Sequence, residues 1–328
     1  HLTKGRVAWN IVTSYLPNAA SNFGHEKLPS HEERYDLADE YLEVVYKLWE
    51  GSWEEDAVLR DTKRGVYADP AKVHQINHKG MHFDVVGPHL SEPSPQRTPL
   101  LFQAGSSTRG RSFAAKHAEC VFVVDSRRSL TGLGSVISDV RSQAVRNGRS
   151  PEDVLFFQGL SPVVGGTEAE AKAKEAEYLE QFSTEGALAH LSGSIGVDLS
   201  SIDLDNPLNT MDIGAMRGSI KGLIESMPDR TQTFRDLIRT RNAGQFLTGA
   251  PEQIADTLQD WQNAGVDGFN LIYSVTPGTF VDFIEGVVPI LQKRGLMQKE
   301  YTPGPLREKI FGDARLPVRH PGAGWRIR

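Results

Sequence analysis

The stretch Gln103-Ala104-Gly105-Ser106-Ser107-Thr108-Arg109-Gly110 has the residue order of a strand end that turns into a helix. Gly105 permits a tight turn, and Ser106 or Ser107 can cap the helix that follows. Backbone N–H groups left free at such a helix start bind anions, phosphate above all. An ordinary capped strand–helix loop has the same local pattern, so the anion reading needs partners from elsewhere in the chain. His31 and Tyr35 are one such pair. Four residues apart, they share a face at a helix start, where an imidazole and a phenol suit a phosphate or ribityl chain. A surface histidine beside a tyrosine at the core edge reads equally well. Asn10-Ile11-Val12-Thr13-Ser14 closes a β-rich run, and polar residues at the C-terminal end of a barrel strand face the pocket. Ordinary turn residues after a strand are the plainer alternative. His74, His78 and His82 recur every four residues, with Asp84 and His89 nearby, a spacing that suits metal ligation. Gly80 interrupts them, however, and 76–83 has the pattern of a hairpin. The expectation is an ordered insertion with no catalytic metal. The sequence holds no G-x-S-x-G elbow, no Walker loop and no H-E-x-x-H.

The elements that must position these residues alternate. Short apolar runs predict strands over 6–13, 99–104, 119–124, 154–164 and 268–273. Amphipathic spacing predicts helices over 31–49, about 108–118, 130–147, 168–182, 216–226, 230–242, 251–264 and 280–294. The helix at 31 is the best signalled: Ser30 and Glu33 have capping-box spacing, and Ala38, Tyr41, Leu42, Val45, Leu48 and Trp49 fall on one face. Segments 51–98 and 183–228 read as long insertions, and 301–328 as a Pro/Arg-rich tail that wraps the surface. Strands alternating with helices imply an α/β fold with a parallel sheet. No G-x-G-x-x-G follows a strand, which weakens the open dinucleotide-binding sheet. Insertions after strand ends favour a (β/α)8 TIM barrel over residues 1–300.

The 328 residues are long enough for one large domain, and 39% hydrophobic with 24% charged residues is a globular composition. Lys and Arg total 36 against 42 Asp and Glu, so no basic nucleic-acid-binding face is expected. One cysteine rules out an internal disulfide and fits a reducing, cytoplasmic setting. The apolar runs are too short to span a membrane.

At these same residues the chain resembles a known family. Gly5 to Ser14, Asn22-Phe23-Gly24, His31 to Asp36, Ala71 to His74, His78-Lys79-Gly80, Gly87-Pro88, Ser94-Pro95-Gln96, Gln103 to Gly110, Gly249 to Asp256, Asp267-Gly268-Phe269 and Leu306-Arg307-Glu308 are similar to the nitrilotriacetate / dibenzothiophene-sulfone monooxygenases. These belong to the luciferase-like flavin monooxygenases. The resemblance implies a (β/α)8 barrel using FMN as FMNH2, supplied by a separate NAD(P)H-dependent flavin reductase. Reduced flavin would capture O2 as a C4a-hydroperoxide and oxygenate a small organic substrate, xenobiotics included. It further implies a homo-oligomer. Carried over by position, His31 and Tyr35 contact the ribityl-phosphate, Gly105, Ser106 and Ser107 hold the phosphate, and Asn10 and Val12 lie beside the isoalloxazine ring. The family pattern has three more strand–helix units before Gly5, roughly a hundred residues at about 30 per unit. Five strands cannot close an eight-stranded barrel. The expectation is therefore a barrel truncated at its N-terminus, with open edges along 6–13 and 268–273. Alternatives are a deazaflavin-dependent luciferase-like oxidoreductase, a non-catalytic flavin-binding remnant and, last, a metal-dependent hydrolase built on the histidines.

Overall fold

The computed structural model describes residues 1–14, 16–123, 130–195, 198–200, 203–207, 232–243 and 246–327. Its strands are β1 (Ala8–Ile11), β2 (Val58–Asp61), β3 (Val66–Ala68), β4 (His78–Lys79), β5 (Asp84–Val85), β6 (Leu100–Gln103), β7 (Cys120–Val123), β8 (Leu155–Val164), β9 (Phe246–Gly249) and β10 (Gly268–Leu271). Its helices are α1 (Pro17–Asn22), α2 (His31–Gly51), α3 (Thr108–His117), α4 (Leu130–Arg146), α5 (Glu168–Glu180), α6 (Thr184–Ile195), α7 (Phe234–Ala243), α8 (Pro251–Asn263), α9 (Gly278–Asp282), α10 (Val288–Lys293) and α11 (Leu306–Phe311). The main sheet is parallel and runs β1-β6-β7-β8-β10, with β9 on β8. β1 and β10 stand at the two ends of that order, and β9, paired with β8 alone, is a further edge among the described residues.

Three departures from the sequence reading are instructive. β9 was not among the strand candidates. It is four residues long and pairs with the last four residues of β8, Ser161 to Val164. The 183–228 insertion contributes helix α6, and the helix expected over 216–226 lies outside the described residues. Helix α2 has the full capping box, Ser30 Oγ accepting from Glu33 N–H and Glu33 Oε2 accepting from Ser30 N–H. Ala38, Leu42 and Val45 of the expected face are buried, but the covered face extends past them to Val44 and Tyr46. Tyr41 stays 42% exposed while Tyr46 is 1% exposed.

The two faces of the sheet have different fates. Leu101, Val121, Val123, Phe156 and Leu160 lie under α2, α3, α4 and α8 and form the dry core. The opposite face carries Asn10, Phe102, Phe122, Phe157 and Asn270, by the registers Asn10–Phe102, Phe122–Phe157 and Gly159–Asn270. These residues are half-buried or exposed.

The tail wraps the surface and also enters the interior. Arg307, in α11, is fully buried; its Nε and Nη2 donate to the two carboxylate oxygens of Glu119 at 2.6 and 2.8 Å. Its guanidinium also donates to the carbonyls of Thr98, Pro99 and Ala314. Within the first insertion, β4 and β5 make the expected hairpin. The Glu40 carboxylate of α2 accepts from the N–H groups of Met81, His82 and Phe83. A Cβ at Gly80 would overlap that carboxylate, so the glycine is required by close approach. Arg307→Met strands the Glu119 charge in the core, and chemical denaturation should show a loss of about 3–5 kcal/mol. Arg307→Met combined with Glu119→Gln should recover part of that loss; a double variant as unstable as the single would assign the cost to packing instead.

Candidate functional site

β6 delivers the chain to Gln103, and α3 begins four residues after Ala104. Ser107 is the N-cap: its backbone is extended and its Oγ accepts from Gly110 N–H at 3.0 Å. Gly105 N–H donates to Gln103 Oε1 at 2.7 Å, folding the strand end into a tight turn. The same amide donates from Nε2 to the Tyr35 hydroxyl at 3.4 Å. A Cβ on Gly105 would lie 2.6 Å from that hydroxyl and one on Gly110 2.7 Å, so both glycines let tyrosine and loop meet. Among the described residues the N–H groups of Ser106, Ser107, Thr108 and Arg109 donate to nothing. That is the donor set an anion needs at a helix start.

The other parts of this corner come from α2. His31 Nε2 meets Ser107 Oγ at 3.1 Å, and the His31 and Tyr35 rings are 5.0 Å apart. Tyr35 rests edge-on against Phe113, with the Arg109 guanidinium 5.4 Å from its centroid. Arg109 is itself tied to Asp36 at 3.1 Å and Asp39 at 2.6 Å. Arg111 Nε donates to the Ser106 carbonyl at 3.0 Å. Thus the structure gathers His31, Tyr35, Gly105 and Ser107, with Ser106 exposed at the rim. It does not join Asn10 and Val12 to that cluster by any hydrogen bond among the described residues. Asn10 stands on the opposite face of the sheet, level with Phe102, whose ring is 5.3 Å from that of Phe157, and Val12 follows it beyond the strand end. Gln103, Arg109 and Arg111 were not among the expected site residues. A glutamine closing a strand before glycine was a usable signal for the first; nothing in the sequence pairs Arg109 with Asp39.

Behind the loop, α3 is locked to α2. His117 Nε2 and Asp39 Oδ1 are 2.8 Å apart, and His117 Nδ1 is 3.2 Å from the Tyr46 hydroxyl. Burial pushes the Asp39 carboxyl up, but hydrogen bonds from His117, Arg109 and Lys116 outweigh it and hold it well below the usual carboxylate range. Burial lowers His117, against the pull of Asp39, and lowers His320 further. His320 donates from Nε2 to the His117 carbonyl and accepts Gly322 N–H at Nδ1, a pattern only the neutral ring makes.

The insertion histidines have other work. His78 uses both ring nitrogens, one on Lys47 Nζ at 2.9 Å and one on Glu40 at 3.2 Å, and His74 pairs with Glu54. Among the described residues no three His, Cys, Asp or Glu side chains converge as metal ligands. No helix there is long and apolar enough to cross a membrane. Two cavities of about 360 and 290 Å3 lie elsewhere, beside α4 and near Trp49 and Trp53.

The profile of the luciferase-like monooxygenases matches residues 1–268. The chain belongs to the luciferase-like monooxygenase family. It is 49% identical to the long-chain alkane monooxygenase of Geobacillus thermodenitrificans, over 99% of this chain and 71% of that protein. It is 47% identical to the dimethyl-sulfide monooxygenase of Hyphomicrobium sulfonivorans, over 99% of this chain and 69% of that one. The crystal structure from the same organism superposes with a TM-score of 0.89, covering 99% of this chain and 70% of that chain. A riboflavin lyase structure containing modified FMN and riboflavin, 37% identical, superposes with a TM-score of 0.85 over 100% of this chain and 73% of that one. Among the relatives the motifs pointed to, dibenzothiophene-sulfone monooxygenase of Rhodococcus erythropolis is 36% identical over 94% of this chain and 70% of that protein. The α/β architecture is accordingly that of the luciferase-like TIM barrels.

Two outcomes follow from this geometry. Gly105→Ala forces the Tyr35 hydroxyl aside and should cost about 1–3 kcal/mol in chemical denaturation. The second concerns acid. A buried imidazole lowered below its ordinary 6.5 contributes stability that is present above that pH and lost as pH falls through it, because the unfolded chain takes the proton first. The Asp39 contribution is lost only below its ordinary 3.8. Stability should therefore fall between pH 7 and 5, by up to about 1.4 kcal/mol per pH unit per proton. His320→Gln should flatten that slope, and an unchanged slope would assign it to other groups.

Proposed function

We propose that this protein is an FMNH2-dependent monooxygenase, working in the cytoplasm with a separate NAD(P)H-dependent flavin reductase and O2. The observation that carries the reading is the corner at Gly105 to Ser107. It offers free N–H groups at the start of a ten-residue helix, a serine cap touching His31, and a turn where a side chain would strike Tyr35. This donor set fits a phosphomonoester: the loop itself offers N–H groups and serine hydroxyls, and the helix start adds a favourable dipole. His31, Ser106, Ser107 and Tyr35 are the residues we assign to the FMN phosphate, and Asn10 and Val12 to the ring. Bound reduced FMN would supply the O2-activating chemistry.

The inner face argues for an uncharged substrate. Residues of one parity along the registered strands, Ala8, Asn10, Leu100, Phe102, Cys120, Phe122, Leu155, Phe157, Phe246, Thr248, Gly268 and Asn270, include no Asp, Glu, Lys, Arg or His. Phe102, Phe122 and Phe157 give an apolar wall that excludes water and offers no fixed charge to a carboxylated substrate. The named relatives that act on alkanes and dimethyl sulfide are consistent with this preference.

FMN titration tests the assignment. The His31→Ala, Ser106→Ala double variant should weaken FMN binding by about 1–3 kcal/mol, or about 5- to 150-fold. An FMN dissociation constant equal to that of the unaltered protein would remove these residues from the phosphate site. With a flavin reductase and NADH added, O2 uptake should rise more with a dialkyl sulfide than with an aminopolycarboxylate.

A further inference from the structure

We propose that Gln103 is a positioning residue that sets the Tyr35 hydroxyl as a hydrogen-bond donor to the bound phosphate; this rests on the FMN reading above. Hydrogen-bond polarity at the turn fixes this role. Gly105 N–H can only donate, so the Gln103 atom 2.7 Å from it must be the amide oxygen. The other end of the amide, facing Tyr35 at 3.4 Å, is then the NH2 group, which also can only donate. The tyrosine oxygen is thereby made an acceptor toward Gln103, and its own proton must point elsewhere. Among the described residues nothing accepts that proton. Tyr35 is 4% exposed, and a buried donor without an acceptor is costly.

The surroundings hold this arrangement in place. Gln103 is 3% exposed, and the tyrosine ring is fixed by Phe113 on its edge and Arg109 nearby. Its hydroxyl touches Gly105 and Gly110, the glycines on either side of the free N–H groups. A phosphate oxygen at those groups is the acceptor that would complete the hydroxyl. The amide thus passes the direction of one loop N–H through to the phenol, and turn and tyrosine present donors together. A carboxylate at position 103 could still accept Gly105 N–H, but its second oxygen would accept the Tyr35 proton and turn the phenol inward.

The test is a double-mutant cycle read as FMN against riboflavin affinity, which differ by the phosphate. The four proteins are the unaltered chain, Gln103→Glu, Tyr35→Phe and the combination. The unaltered chain should prefer FMN by about tenfold or more. Tyr35→Phe should lose most of that preference with riboflavin affinity unchanged, and this variant keeps the ring that packs on Phe113. Gln103→Glu should lose a similar share. In the Tyr35→Phe background, Gln103→Glu should add little, because the proton it redirects is gone. An equal loss from Gln103→Glu in both backgrounds would mean simple charge repulsion and overturn the role proposed for Gln103. A Tyr35→Phe protein with full FMN preference would overturn it as well. An unaltered chain that binds FMN and riboflavin equally would instead overturn the phosphate reading of the loop itself.

Discussion

The buried pair of Arg307 and Glu119 is the constraint on which the rest of the architecture depends. A guanidinium and a carboxylate at 0% and 2% side-chain exposure survive only if every donor and lone pair is answered. Here the answers come from the entrances of the strands. Glu119 also accepts Leu101 N–H, and Arg307 N–H donates to Gln96, whose amide donates to the Val7 carbonyl. One residue of the C-terminal tail therefore ties together the beginnings of β1, β6 and β7, its side chain reaching Glu119, Thr98 and Pro99 and its backbone N–H reaching Val7 through Gln96. With these ends held by a buried charge pair, the opposite ends are left to loops, and the turn at Gly105, with its free N–H groups, is one of them. Barrel enzymes divide stability and chemistry between their two ends in this way.

A second chain of contacts runs from the tail to the site. His320 holds the His117 carbonyl, His117 meets Asp39, Asp39 holds Arg109, and Arg109 lies by Tyr35. The first three steps are short polar contacts between elements far apart in sequence, and the last sets the Arg109 guanidinium 5.4 Å from the Tyr35 ring centroid. The helix α3 that offers its N-terminus at Ser107 is thus clamped to α2 at both ends, by Arg109 in its first turn and by His117 in its last. Since His31 and Tyr35 belong to α2, the clamp also sets the distance between them and the loop. A preorganised anion site needs this, because free N–H groups are effective only when they need not be gathered.

The contrast between the two sheet faces carries the substrate argument. The helix-covered face is packed with Val121, Phe156 and Leu160, as a parallel sheet requires. The other face is apolar yet incompletely covered, with Val12 63% and Ile272 49% exposed. Such a surface, rimmed by the polar turn at Gly105, has the composition of a pocket wall: aromatic and aliphatic, with a few polar atoms at one end.

The sequence by itself determined whatever depends on neighbouring residues. The capping box at Ser30 and Glu33, the Ser107 cap, the turn at Gly105 and the hairpin around Gly80 are local, and all could be read before any contact was known. So could the alternation of strands and helices, and with the ordered motifs it carried the family. β9 escaped because four residues, Phe246 to Gly249, give periodicity too little length, and only the far end of β8 selects them. What tertiary structure alone decided are the long-range polar pairings. Tyr46 and His117 are 71 residues apart, His117 and Asp39 78, and Arg307 and Glu119 188. No spacing rule reaches that far, since a side chain's partner across the core is set by how elements pack. That is why Tyr46 is buried while Tyr41 is exposed: His320 of the tail packs on the Tyr46 ring and His117 meets its hydroxyl, adding to the cover that Ile11 and Leu101 of the sheet give α2. For the same reason the histidines at 74, 78 and 82 could suggest a metal in one dimension, while in three His74 meets Glu54, His78 meets Glu40 and Lys47, and His82 gives its backbone N–H to Glu40.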